Sequence, residues 1–222
     1  MRDARESHAI HQELDMDVKI SAHFQELLLQ YAQETEPNKR KQMEDVIWRE
    51  YGAEHTVFVL DMSGFSLLTR RYGIVHYMSM VRRMQLTVDP IVKEYKGRFV
   101  KFEADNCFAV FPDTYSAIRA AISMQLAFDE SNLVTDDDLD IHISCGIDYG
   151  KILMIGSEDC FGDAINRACK MGEDLAAAGE IFVGADAMER LAPNSGIASH
   201  PITVSLSGVV FPAFSIEYKT NN

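Results

Sequence analysis

Two aspartates stand where a fold can bring acids together. Asp61 closes the apolar run Val57 to Leu60 in "VFVLDMSGF", and Asp105 interrupts the apolar stretch "FVKFEADNCFAVF" 44 residues later. If the end of the first strand and the turn of the following hairpin lie side by side, the two side chains present four carboxylate oxygens to one point. That donor set suits one or two Mg²⁺ ions, which take a few carboxylates and keep positions open for substrate phosphates. Gly64, after Asp61, lets the backbone approach a phosphate closely. On spacing alone a second reading stands beside this one, in which both acids are turn and cap aspartates with no ligand.

Positioning these acids requires strands around them. Residues 57–60 read as a buried strand, residues 98–103 and 107–111 as a hairpin around Ala104-Asp105-Asn106. Ile74, Tyr77, Val81, Met84, Val88, Ile91 and Tyr95 keep a helical period in which Pro90 predicts a break or kink. Ala117, Ala121, Met124 and Phe128 mark another helix, capped by Asp113 or Thr114. "SNLVTDDDLD" reads as a solvated loop, "IHISCGID" and "KILMIG" as a strand pair around Tyr149-Gly150, and 164–178 as a helix. "EIFVG" reads as a strand, "ADAMERL" as a short helix, and 201–218 as a final strand pair. The order implies an α+β fold, helices against one mainly antiparallel sheet.

Residues 1–52 differ. Ile20, Phe24, Leu27 and Tyr31 recur at spacings of four, three and four, one apolar helical stripe, and Pro37 separates them from a second short helix over 39–51. This N-terminal helical arm either packs on the main domain or serves as a dimerising or signal-relaying extension.

The 222 residues suffice for one substantial core, and 47% hydrophobic with 25% charged is ordinary for a globular protein. A formal net charge of −13 disfavours nucleic acid and anionic membrane as partners. No apolar run approaches the roughly 20 residues of a membrane span. The polar, acidic N-terminus carries no secretory or mitochondrial signal, so a cytoplasmic location is the expectation. Cys107, Cys145, Cys160 and Cys169 lack CxxC or metal-finger spacing and read as reduced thiols.

In order and spacing, "VFVLDMSGFS", "FVKFEADNCFAVF", "GIDYGKILMIG" and "FGDAINRACKM" resemble the catalytic domain of the class III nucleotidyl cyclases, the adenylate and guanylate cyclases. The resemblance spans about residues 54–218 and implies a ferredoxin-like, palm-type sheet with helices on one face over 53–222. It implies that Asp61 and Asp105 hold two Mg²⁺ or Mn²⁺ ions and that the backbone of Met62, Ser63, Gly64 and Phe65 cradles phosphate. Lys101 falls on the purine-reading position, Asp159 on its partner position, Asn166 on the ribose-orienting asparagine. Adenine offers an acceptor at N1 and donors at N6, so a lysine with an aspartate suits ATP, and such a pair discriminates by about 1–3 kcal/mol. The implied partners are ATP and a second copy, in a head-to-tail homodimer whose sites draw on both subunits. The implied reaction is adenylate cyclisation to cyclic AMP.

Three departures fall on the phosphate side. Lys170 stands where the family has its transition-state arginine, and an ammonium does not reproduce a two-pronged guanidinium. Ser207 replaces a lysine, and the hairpin before Asp159 is shortened to "IGSED" without a cation. Ala104 stands where glycine is usual. Losing one preorganised transition-state contact costs about 10²–10³ in rate. The expectation is therefore a slow or conditional cyclase, with Arg167, Lys151 or the arm as sources of a replacement cation. The alternative is a degenerate domain that binds nucleotide or a partner and regulates.

Overall fold

Four consecutive buried residues, Val57 to Leu60, leave no exposed face, so β1 (Gly52–Met62) has to lie inside a sheet. The computed structural model describes residues 2–206 and 209–219, with side chains over 17–205 and 210–219. It divides into two units, Glu54–Lys151 with Gly162–Asn222, and Met1–Ala53 with Ile152–Phe161.

In the larger unit the elements after β1 are α3 (Phe65–Tyr72), α4 (Ile74–Glu94), β2 (Arg98–Glu103), β3 (Asn106–Phe111), α5 (Thr114–Asn132) and the start of β4 (Ile143–Ile155). After Gly162 follow α6 (Asp163–Cys169), β6 (Ile181–Gly184), α7 (Ala185–Met188), β7 (Ala198–Leu206) and β8 (Val209–Glu217). Among the described residues the strands pair in the order β2-β3-β1-β4-β6-β8-β7. The pairs β1–β3, β2–β3, β6–β8 and β7–β8 run antiparallel and β4–β6 parallel, which makes the sheet mainly antiparallel. Helices α4 and α5 bury Tyr77, Met80, Met84, Val88, Ile118, Ala121 and Met124 against Phe58, Leu60, Ile143 and Ile147. Asp113 caps α5, its Oδ1 accepting from the Ser116 N–H at 2.7 Å.

Three local expectations give way. Of the break or kink expected at Pro90, the break does not occur: α4 runs as one element over Ile74–Glu94. An interior proline costs about 3 kcal/mol or more, and the buried stripe continues past it to Val92, so packing holds the helix across the lost hydrogen bond. Tyr149-Gly150 is not a turn; β4 passes through it as one 13-residue strand. A Cβ at Gly150 would stand 3.1 Å from the Ala164 Cβ, a tight contact, so the glycine lies against α6 within the strand and mimics a turn signal in sequence. The helix expected over 164–178 ends its α-helical part at Cys169, continues as a π-helical turn over Lys170–Leu175 and is extended by Ala176. Gly172 sits on the sheet at this turn, where a Cβ would be 2.8 Å from the Gly146 nitrogen and 3.1 Å from the Val59 carbonyl oxygen.

The smaller unit holds α1 (Arg2–Gln33) and α2 (Pro37–Tyr51), with Pro37 in the first turn of α2, where its missing N–H is harmless. Phe24, Ile47 and Tyr51 are buried with Ile155, and Ile20, Leu27 and Leu153 pack around them. Ile155 belongs to the end of β4, which pairs antiparallel with β5 (Asp159–Phe161) in a tight hairpin. No helix among the described residues is long and apolar enough to cross a membrane.

Candidate functional site

β1 delivers Asp61 at its C-terminal end, and the β2–β3 turn delivers Asp105. The pairing Leu60↔Cys107 and Glu103↔Asn106 brings that turn beside the strand end. Asp61 is pushed up to about 7, first by burial, then by the charge of Asp105 and by Glu173 and Asp174. The two acids predicted to form one site therefore repel one another across it. Tyr77, on α4, donates its hydroxyl to Asp105 Oδ2 at 2.5 Å and lies 3.5 Å from the Met62 carbonyl oxygen. Burial, then Asp105 and Asp61, raise the phenol of Tyr77 far above its usual range, so it stays a donor.

Between strand and helix, Met62 is buried, the Ser63 N–H donates to the His142 carbonyl at 2.8 Å, and Gly64 takes the left-handed conformation at φ 100°. A side chain is strained at that angle, which is why a glycine stands there. The Gly64 carbonyl accepts from the Leu68 N–H at 2.9 Å, and Phe65, half exposed, sets its ring edge-on to Tyr77 at 4.9 Å. At the other acid, Ala104 holds φ 53°. The glycine of the family pattern would sit there without strain, and alanine pays about 1–2 kcal/mol for it.

Lys101 projects from β2, its ammonium 2.7 Å from Glu103 Oε2 and 5.0 Å from the centroid of Phe108. Asp159 opens β5 in the smaller unit, one oxygen accepting from the Cys160 N–H at 2.8 Å. Asn166 is exposed on α6, while Lys170, at the start of the π-helical turn, pairs with Asp174 at 2.6 Å. Ser207 lies outside the described residues. Cys107, Cys145 and Cys160 are buried and Cys169 half-buried, and none of the four is in a disulfide.

Arg167, offered by sequence as a replacement cation, is committed elsewhere. Its guanidinium donates to Asp148 and Asp163 and reaches Asp186 at 3.0 Å. Asp148 is fully buried, and burial raises its carboxyl although Arg167 pulls the other way. Sequence reasoning missed Tyr77, taken for a core aromatic because its spacing matches the α4 stripe, and the acids Glu173 and Asp174. The run Lys170 to Leu175 was read as ordinary helix, in which neighbouring acids carry no signal.

Two half-buried acids with two further acids beside them, and Lys170 held by Asp174, form an under-neutralised negative site. The unpartnered buried Asn106 Oδ1 adds an acceptor next to Asp105. Oxygen-only donors and unmet negative charge fit a hard divalent cation. Among the described residues no three His, Cys, Asp or Glu converge on one point. Mg²⁺ keeps several waters and is held by one or two carboxylates plus substrate phosphates, so two suffice.

Residues 49–208 match the family described as the adenylate and guanylate cyclase catalytic domain. A Rhizobium meliloti (strain 1021) protein named "Putative adenylate cyclase 3" is 27% identical over 127 residues, which cover 57% of this chain and 21% of that protein. The chain thus spans about a fifth of that relative's length. The catalytic core of a rhodopsin-guanylyl cyclase with converted specificity, in complex with ATPαS, superposes with a TM-score of 0.64 at 19% identity, covering 75% of this chain and 98% of that one. An adenylate/guanylate cyclase/hydrolase from Silicibacter pomeroyi gives 0.63 at 22% identity, covering 76% and 99%. At these identities the two structures establish the fold.

Proposed function

Because the chain belongs to the adenylate and guanylate cyclase catalytic domain family over residues 49–208, we propose that it converts ATP into 3′,5′-cyclic AMP and pyrophosphate. The observation that carries this reading is the Asp61–Asp105 pair, one acid at the end of β1 and one in the adjoining β2–β3 turn. Burial first and the charge of Asp105 second raise Asp61 to about 7, a carboxyl that a cation would stabilise in its charged form. The 3′ oxygen of the ribose attacks the α-phosphorus in line with the departing pyrophosphate. Asp61 and Asp105 would hold two Mg²⁺ or Mn²⁺ ions per site, and such ions would supply Lewis acidity to the reaction.

The chain's own residues do the positioning. Tyr77 fixes the carboxylate of Asp105 by its hydroxyl. The turn from Met62 to Phe65, bent by Gly64, takes the phosphate oxygens, with the Ser63 N–H already given to the His142 carbonyl. Lys101 donates to adenine N1 and Asp159 accepts from N6. Asn166 orients the ribose, and Lys170 exchanges Asp174 for the phosphate as charge develops there. Each site forms in a head-to-tail homodimer, metal aspartates from one subunit and Lys101, Asp159, Asn166 and Lys170 from its partner.

One observation favours a second reading. The ammonium of Lys170 already has Asp174 at 2.6 Å, which blunts the cation nearest the expected transition state and suits a nucleotide-binding regulatory module. Cyclic AMP formation by the purified chain with Mn²⁺ and with Mg²⁺ separates the two. The cyclase reading expects product that falls at least 10²-fold in Asp105→Ala. No product from ATP or GTP, with metal-dependent ATP binding retained, would leave the regulatory module.

A further inference from the structure

Two residues of α1 hold opposite ends of β5, the three-residue strand that begins with Asp159. At the turn end, Asp17 Oδ1 accepts from the Ser157 N–H at 3.3 Å, and Oδ2 accepts from the Ser157 hydroxyl. At the far end, Phe24, only 3% exposed, stacks on Phe161 with ring centroids 6.3 Å apart and planes 12° apart. The spans match: seven residues of helix rise about 10.5 Å, and four residues of strand cover about 13 Å.

The turn under Asp17 is stiff. Ile155 pairs with Asp159 across three intervening residues. Gly156 is left-handed at φ 56°, and the Glu158 N–H closes the turn on the Ile155 carbonyl at 3.1 Å. So short a connection has no slack to absorb a shift of Ser157, and Asp159 follows two residues later. Phe24 also meets Tyr51 edge-on at 4.9 Å, which ties α2 into the same packed cluster as Ile155. The arm and the hairpin therefore move together.

We propose that α1 is a positioning element for purine recognition. Through Asp17 and Phe24 it sets where the Asp159 carboxylate stands, so a displacement of the helix changes nucleotide affinity and purine choice. A signal delivered to α1 thereby reaches the substrate. This rests on Asp159 being the acceptor for the adenine amino group, as proposed above.

The test uses the full chain, Mn²⁺ and 3′-deoxy-ATP, which lacks the nucleophile and cannot cyclise, with 3′-deoxy-GTP for purine choice, both read by calorimetry. Asp17 is on the surface and its replacement leaves the core intact. Asp17→Ala is expected to weaken 3′-deoxy-ATP about 3–30-fold, the range for residues that act through a coupled network, and to narrow the preference over 3′-deoxy-GTP. Ser157→Ala should shift both in the same direction, and Asp17→Asn, which keeps Oδ1, should recover part of the loss. In an Asp159→Ala background, Asp17→Ala should cost nothing further. Equal weakening in both backgrounds, or none while Asp159→Ala alone weakens binding, overturns the proposal. If Asp159→Ala changes neither affinity nor purine choice, the assignment of Asp159 fails, and the clamp's role falls with it.

Discussion

At the scale of single residues, the site is built from groups that cost the fold something. Asp61 is held where burial and three acids disfavour its charge. An acid whose folded-state value is raised is stabilising in its protonated form, so its contribution is present at low pH and lost as pH rises from about 4 through about 7. In metal-free buffer at pH 8, Asp61→Asn is therefore expected to raise Tm by roughly 2–8 °C. The gain should shrink as pH falls below about 7. Adding Mn²⁺ should raise the Tm of the wild type and leave that of Asp61→Asn nearly fixed. A variant that melts below the wild type in chelator would mean that Asp61 is stabilising as a charge, against the repulsion described here. Ala104, left-handed at φ 53° beside Asp105, is a second local cost at the same place. Of these residues, Asp61 and Asp105 were legible because a carboxylate between apolar runs is conspicuous. Tyr77 was not, because a phenol at a core spacing looks like any other core aromatic until its hydroxyl is seen 2.5 Å from Asp105.

At the scale of elements, α6 is tied to the sheet by charge as well as packing. Arg167 bridges Asp148 on β4, Asp163 in its own first turn and Asp186 on α7. Asp148 has no solvent, so removing the guanidinium leaves a buried carboxylate uncompensated, a loss worth about 3–5 kcal/mol. Arg167→Ala should fall by that much in urea titration, and Arg167→Ala with Asp148→Asn should recover a large part. Arg167→Lys should rescue little, since one ammonium does not span three acids. An unchanged midpoint in Arg167→Ala would show that Asp148 is neutral and carried by its neighbours. Sequence exposed the strands and helices wherever burial has a clean period, as in Val57 to Leu60 and at Tyr77, Val81, Met84 and Val88 of the α4 stripe. It misled where a glycine serves packing instead of turning, at Gly150. It was silent where register comes from contacts far along the chain, as at the π-helical turn seated by Gly146 and Gly172.

At the scale of the whole molecule, the proposed chemistry asks for more than one chain. Asp105 and Asn166 belong to the same polypeptide, yet in a head-to-tail homodimer they serve different sites, each completed by the other copy. Mixing two inactive variants turns this into a number. Asp105→Ala damages the metal half and Asn166→Ala the ribose half. A heterodimer of the two has one site with both lesions and one with neither. Random exchange of equal amounts makes half of the dimers heterodimers, each with one working site of two, so the mixture should regain about a quarter of wild-type cyclic AMP production. Each variant alone should stay at least 10²-fold down. Regain that grows with protein concentration, as association demands, would support shared sites. No regain after exchange, with dimers verified by sedimentation, would mean that each site is completed within one chain, and the roles given to Lys101, Asp159, Asn166 and Lys170 toward a partner's metals would have to be withdrawn.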